Sequence, residues 1–99
     1  MTTASDASVI RIIIADDDPI ARAAIKSMFD EEDDIEVVAV AADGAEAVDL
    51  VHEHMVDVVL MDAHMPVLDG IAATRAVLEA DPGIKVIVLT TFDLDDYLV

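Results

Sequence analysis

The 99-residue sequence contains no cysteine and no tryptophan. Without thiols it can build neither a disulfide framework nor thiolate chemistry, and it is at home in a reducing cytoplasm. Aromatic residues are only 3% against 56% hydrophobic, which favours aliphatic α/β packing over an aromatic-rich sandwich. Basic residues are scarce as well, five against 22 acidic, for a net charge of −17. That balance excludes a direct grip on DNA, RNA or an anionic membrane and makes cations the natural ligands. No window approaches the ~18 apolar residues of a membrane span. The start of the chain, Met1 to Ser8, has no basic segment, and the apolar run after it is broken by Arg11, so neither a signal peptide nor an anchor is expected. At this length the chain is one domain at most and buries only about 60% of its unfolded surface.

What the sequence does have is a run of branched and long apolar residues that ends in acid. Val56-Asp57-Val58-Val59-Leu60-Met61-Asp62 stops at a carboxylate and is followed by Ala63-His64-Met65-Pro66-Val67-Leu68-Asp69-Gly70. The pattern predicts a strand buried on both faces that delivers Asp62 to its C-terminal edge, where open α/β sheets place their chemistry. A second such run, Val9 to Ala15, stops in Asp16-Asp17-Asp18-Pro19.

The remaining elements fall between these two runs. Residues 1–8 are small and polar and read as a disordered tail, leaving 9–99 as the domain. Asp18-Pro19 starts a first helix that runs to about Phe29, with Ala21, Ile25 and Met28 at helical spacing. Asp30 to Asp34 is a charged loop, and Ile35 to Ala41 is a second strand closed by Asp43-Gly44. A second helix spans Ala45 to His54, with Ala47, Val48 and Val51 on one face and Glu46, Asp49 and Glu53 on the other. Asp69-Gly70 opens a third helix on which Ile71, Thr74 and Leu78 share a face, and Asp81-Pro82-Gly83 ends it. A fourth strand, Ile84 to Leu89, ends in Thr90-Thr91.

The order β-α-β-α-β-α-β predicts a doubly wound parallel sheet with helices on both faces. All its strand C-termini lie on one rim, which would gather Asp16, Asp17 and Asp18 from the first strand, Asp62 from the third and Thr90 or Thr91 from the fourth. Crowded carboxylates must protonate or bind a hard cation, and Mg²⁺ fits oxygen-only ligation. Taken singly, each acid could be an ordinary loop starter; two buried strands ending in acid and a third ending in hydroxyl argue for a site. His52 and His54 lie two apart on a helix, face different ways and are read as solvated surface. Met61 and Met65 are read as packing.

In four blocks the sequence resembles the receiver domain of a two-component response regulator. Ile14-Ala15-Asp16-Asp17-Asp18-Pro19 is similar to its acidic pair, and Leu60-Met61-Asp62-Ala63-His64-Met65-Pro66 with Asp69-Gly70 to its phosphoacceptor loop. Leu89-Thr90-Thr91-Phe92-Asp93 resembles its switch segment, which continues as Leu94-Asp95-Asp96-Tyr97 in the manner of the subfamily with a LuxR-type DNA-binding output. The resemblance implies a flavodoxin-like fold of strand order 2-1-3-4. It implies that Asp62 accepts a phosphoryl group from the histidine of a sensor kinase, and that Asp16, Asp17, Asp62 and the His64 backbone carbonyl hold Mg²⁺. It further implies that Thr90 hydrogen-bonds the phosphoryl group, that Thr91 leaves space behind it, and that Pro66 and Gly70 shape the loop. Asp18 departs from the subfamily, where His is common.

Against the family pattern the chain is expected to be truncated before the fifth strand, its essential lysine and the fifth helix, so that it carries no DNA-binding module. It is then a cytoplasmic signalling domain and not an enzyme, beyond its own phosphorylation and dephosphorylation. Val86, Val88 and Leu89 would line an open apolar edge. That edge predicts a homodimer, with exchange of Phe92 to Val99 as one form of it. Two alternatives stay open at this stage: a phosphorylation-deficient fragment that only self-associates, and a haloacid-dehalogenase-type phosphatase. The second wants an Asp two residues after the nucleophile, where His64 stands.

Overall fold

The computed structural model describes residues 9–65 and 67–89; the expected tail, Pro66, Thr90, Thr91 and the segment 92–99 lie outside the described residues. Seven elements follow in the expected order: β1 (Ile10–Ala15), α1 (Pro19–Asp30), β2 (Ile35–Ala41), α2 (Gly44–Glu53), β3 (Val58–Asp62), α3 (Gly70–Ala80) and β4 (Lys85–Leu89). The strands pair in parallel in the order β2-β1-β3-β4. Because every crossover returns the chain to the same end of the sheet, the C-termini of β1 and β3 are neighbours, with Ala15 opposite Met61.

The sheet separates two apolar layers. On one side Ile13, Ala15, Val59 and Met61 pack against Ala47 and Val51 of α2 and Ala73 and Val77 of α3. On the other, Ile12, Ile14 and Leu60 meet Ile25 and Phe29 of α1. Ile12 to Ala15 are therefore buried whichever way they point, which is why β1 reads as an unbroken apolar run.

Several helix faces differ from the sequence reading. On α3 the buried residues are Gly70, Ala73 and Val77, while Ile71 and Leu78 are 57% and 39% exposed. Small side chains face inward because α2 and α3 approach each other closely: a Cβ on Gly44 would stand 3.1 Å from that of Ala73. On α1 Phe29 takes the place expected for Met28, which is 66% exposed, because the i, i+4, i+8 row Ala21, Ile25, Phe29 faces the sheet. Asp43-Gly44 does not close β2 but opens α2. The Asp43 carboxylate accepts the Glu46 N–H at 2.8 Å, and the Glu46 carboxylate accepts the Ala42 N–H at 2.6 Å, a reciprocal cap. Val86 and Val88 are half-buried on the α2–α3 side, and Ile87 and Leu89 are the exposed apolar residues of β4, because strand side chains alternate between faces.

At the rim opposite the acids, Arg11 ties β1 to β2 and to the turn that leads into β3. Its guanidinium pairs with Glu36 at 3.0 Å and donates to the Met55 carbonyl at 2.7 Å, while its main-chain N–H donates to Asp57 at 2.8 Å.

Candidate functional site

β1 ends at Ala15 and α1 is capped by Asp18, so Asp16 and Asp17 form the turn between them. Asp18 takes the capping role: its carboxylate accepts the Ile20 N–H at 2.9 Å, with Pro19 at the first helical position. Asp16 is held at both main-chain atoms and at its side chain. Its N–H donates to Ala41 at 3.1 Å, its carbonyl accepts from Arg22 at 2.8 Å, and its Oδ1 accepts the Asp18 N–H at 2.9 Å.

β3 ends in Asp62, which is 9% exposed. It is the buried member of the rim, beside a half-buried Asp16 and an exposed Asp17. Oxygens of Asp16, Asp17 and Asp62 all lie within 4.8 Å of one another. Burial pushes the Asp62 carboxyl above its ordinary value, and the negative charges of Asp16 and Asp17 push the same way. The His64 backbone N–H, which donates to Asp62 Oδ1 at 3.2 Å, and the His64 imidazole act in the opposite direction without cancelling the rise. Three converging carboxylates with neither nitrogen nor sulfur among them match the preference of Mg²⁺ for hard oxygen ligands, so the residues present fit that ion. Asp18, also expected at the rim, is not one of the three.

The loop after Asp62 is seated by two glycines. Gly70 lies so close to the Asp62 carbonyl and the Ala63 Cα that a Cβ has no room, and its N–H donates to the Ala63 carbonyl at 3.2 Å. Gly44 presses in the same way on the Leu68 carbonyl. Asp69 caps α3 by accepting the Ala72 N–H at 2.9 Å, and the Ala63 N–H reaches Leu89 of β4 at 2.9 Å. Asp69 and Gly70 thus open α3, where the sequence put the start of the third helix. The role of Gly44 was missed, although Glu46 three residues after Asp43 is a capping signal; nothing in the sequence points to Arg22.

Val67 takes the left-handed conformation, φ 71°, while 81% exposed. A β-branched side chain there costs about 1–2 kcal/mol, whereas Asn tolerates it. Val67→Asn therefore raises stability by roughly 0.5–1 kcal/mol, read as a higher urea midpoint. An unchanged or lower midpoint contradicts the strain.

His52 and His54 belong to no cluster of metal-ligating side chains among the described residues. Met61 and Met65 are buried, as expected.

The fold and site define a flavodoxin-like α/β domain with a carboxylate cluster at the C-terminal rim of its parallel sheet. The response regulator receiver domain matches residues 12–99, and the chain belongs to that family. It is 41% identical over 90 residues to the oxygen regulatory protein NreC of Staphylococcus epidermidis, covering 90% of this chain and 41% of NreC. It is 40% identical over 89 residues to the transcriptional regulatory protein DegU of Brevibacillus brevis, covering 90% of this chain and 38% of DegU. The chain thus spans about two fifths of the length of these relatives. Among solved structures, a LuxR-family response regulator from Aurantimonas superposes with a TM-score of 0.80 at 35% identity, covering 87% of this chain and 61% of that one. The signal receiver domain of the putative response regulator NarL from Mycobacterium tuberculosis does so with 0.80 at 30% identity, covering 87% and 69%.

Proposed function

We propose that Asp62 accepts a phosphoryl group from the histidine of a sensor kinase. The observation that carries this reading is a buried strand-end carboxylate with two further carboxylates within 4.8 Å. A carboxylate oxygen of Asp62 forms the new bond to phosphorus as the donor's bond to nitrogen breaks, and the product is an aspartyl phosphate. Phosphoryl transfer needs little covalent chemistry from a protein; positioning and charge neutralisation dominate. Asp16, Asp17, Asp62 and the His64 backbone carbonyl would hold Mg²⁺, whose charge offsets that of the phosphoryl oxygens. Burial and the charges of Asp16 and Asp17 hold the Asp62 carboxyl above its ordinary value, which a cation in the cluster would offset.

The finer assignments belong to the same proposal. Thr90 donates its hydroxyl to the phosphoryl group, Thr91 leaves room behind it, and Pro66 and Gly70 set the loop. The domain turns over no external substrate. It works in the cytoplasm, and among the described residues no helix is long and apolar enough to cross a membrane. Transcription is controlled through a DNA-binding partner domain, in line with relatives such as DegU. Homodimerisation is part of the reading too. It is supported by the exposed Ile87 and Leu89 on β4, which is an outer strand among the described residues, and light scattering over a concentration series tests it. The receiver family match leaves no support for the phosphatase alternative.

Incubation with acetyl phosphate and Mg²⁺ tests the acceptor. Mass spectrometry is expected to find one phosphoryl group on the Asp62 peptide and none on Asp62→Asn. Label that persists unchanged in the variant refutes the assignment.

A further inference from the structure

The chain has five cationic side chains against 22 acids. Arg11 pairs with Glu36 at 3.0 Å and Lys26 with Asp30 at 2.8 Å. Arg22 makes no ion pair among the described residues; its Nη1 donates instead to the backbone carbonyl of Asp16 at 2.8 Å. Arg22 is half-buried and lines a groove of about 240 Å³ with Pro19, Ala23, Lys26 and Val40, between α1 and β2.

The contact completes the fixing of Asp16. The Ala41 carbonyl holds its N–H, the Asp18 N–H holds its carboxylate, and Arg22 holds its carbonyl. That carbonyl belongs to the peptide unit leading into Asp17, whose own carboxylate has no hydrogen bond among the described residues. The direction of Asp17 therefore depends on the main chain that Arg22 grips. We propose that Arg22 is a positioning residue for the cation site: by holding the Asp16 carbonyl it keeps the Asp16 and Asp17 carboxylates converged on Asp62. The proposal rests on the Mg²⁺ reading above, and it reaches a residue that touches neither the ion nor the acceptor.

Charge and clamping predict opposite signs. A guanidinium repels a nearby cation, so if its charge were its only effect, removing it would tighten Mg²⁺ binding. If it acts as a clamp, removing it releases the ligands, and partners that orient ligands in this way are typically worth 10–100-fold in affinity. Arg22→Met keeps an apolar stem in the groove and removes the donor; Arg22→Lys keeps the charge and one donor.

Two measurements on the whole chain separate the outcomes. Without metal, hydrogen exchange at the Asp18 amide is expected to quicken in Arg22→Met while amides in the middle of α1 stay as protected as in the parent. In calorimetric titration with Mg²⁺ at about 0.15 M salt, where surface charge effects are screened beyond ~8 Å, Arg22→Met is expected to bind roughly 10-fold more weakly. Arg22→Lys is expected to fall between the two, and serves in place of Arg22→Met if that variant does not fold. Unchanged exchange at Asp18, or binding as tight as in the parent or tighter, overturns the proposal. A parent chain that takes up no Mg²⁺ overturns the cation reading itself, whatever the exchange shows.

Discussion

Mg²⁺ at ten times its dissociation constant is expected to stabilise this chain by about 1.4 kcal/mol, since only the folded state assembles the site. For a domain of this size that is a rise of roughly 5–10 °C in melting temperature. The free energy arises because Asp16, Asp17 and Asp62 are folded to within 4.8 Å of one another and repel until a cation joins them. A chain of net charge −17 also gains from nonspecific screening, so the control is sodium chloride at equal ionic strength. Asp17→Ala should lose most of the Mg²⁺ increment and keep the sodium response. Equal responses to Mg²⁺ in parent and variant would show that the cluster holds no ion.

Burial of Asp62, with the charges of Asp16 and Asp17 acting the same way, fixes the sign of a pH effect in the metal-free chain. The folded-state pKa of Asp62 is raised above its unfolded value of 3.8, so across that interval the folded chain holds more proton than the unfolded one. Stability contributed by protonated Asp62 is therefore complete below the unfolded value and is lost as pH rises through the folded one. Asp62→Asn removes the loss. It should melt higher than the parent at neutral pH without Mg²⁺, by about 4–8 °C for each kcal/mol relieved. The gap should close on acidification below pH 3.8. A variant that melts below the parent at neutral pH would show that Asp62 is not under electrostatic strain.

Asp16, Asp17 and Asp62 were legible as a cluster because a parallel sheet turns sequence order into a shared rim: an acid at the end of each buried run is enough to bring them together. Asp18-Pro19 was legible as a helix start for equally local reasons. What the sequence did not show depends on how closely elements approach. Ile71 and Leu78 are the large apolar residues of α3 and attract a core assignment, yet Ala73 and Val77 are the buried ones, because α3 packs near α2 and only small side chains fit between them. Gly44 looked like a strand end because its importance lies in space next to Leu68, 24 positions away. Arg22 was silent for a related reason: its partner is a main-chain carbonyl, which leaves no trace in residue identity.

Gly70→Ala is expected to be among the most damaging single-methyl changes available near the site. In most helices replacing Gly by Ala stabilises by about 0.5–1 kcal/mol, because the unfolded chain has less freedom to lose. No glycine of this chain has positive φ, so conformation alone would permit the change at Gly70. Space forbids it. The new methyl would meet the Asp62 carbonyl oxygen, the Asp62 carbonyl carbon at 3.0 Å and the Ala63 Cα at 2.8 Å, all main-chain atoms that cannot rotate away. Overpacking of this kind costs typically 1–3 kcal/mol, and with main-chain atoms on all sides the upper part of that range applies, leaving a net loss of up to about 2.5 kcal/mol. The strain falls on the residue that carries the site. To relieve it α3 must move outward or Asp62 must shift, and either change loosens the His64 N–H contact to the Asp62 carboxylate. Gly83→Ala is the matched control: its methyl would meet only a side-chain oxygen of Asp81 at 3.3 Å, and its stability should stay within about 0.5 kcal/mol of the parent. Urea midpoints of the three proteins, each with and without Mg²⁺, separate the effects. Gly70→Ala should fall well below the others and respond less to the ion; a midpoint equal to that of Gly83→Ala would mean that α3 does not rest on the Asp62 backbone.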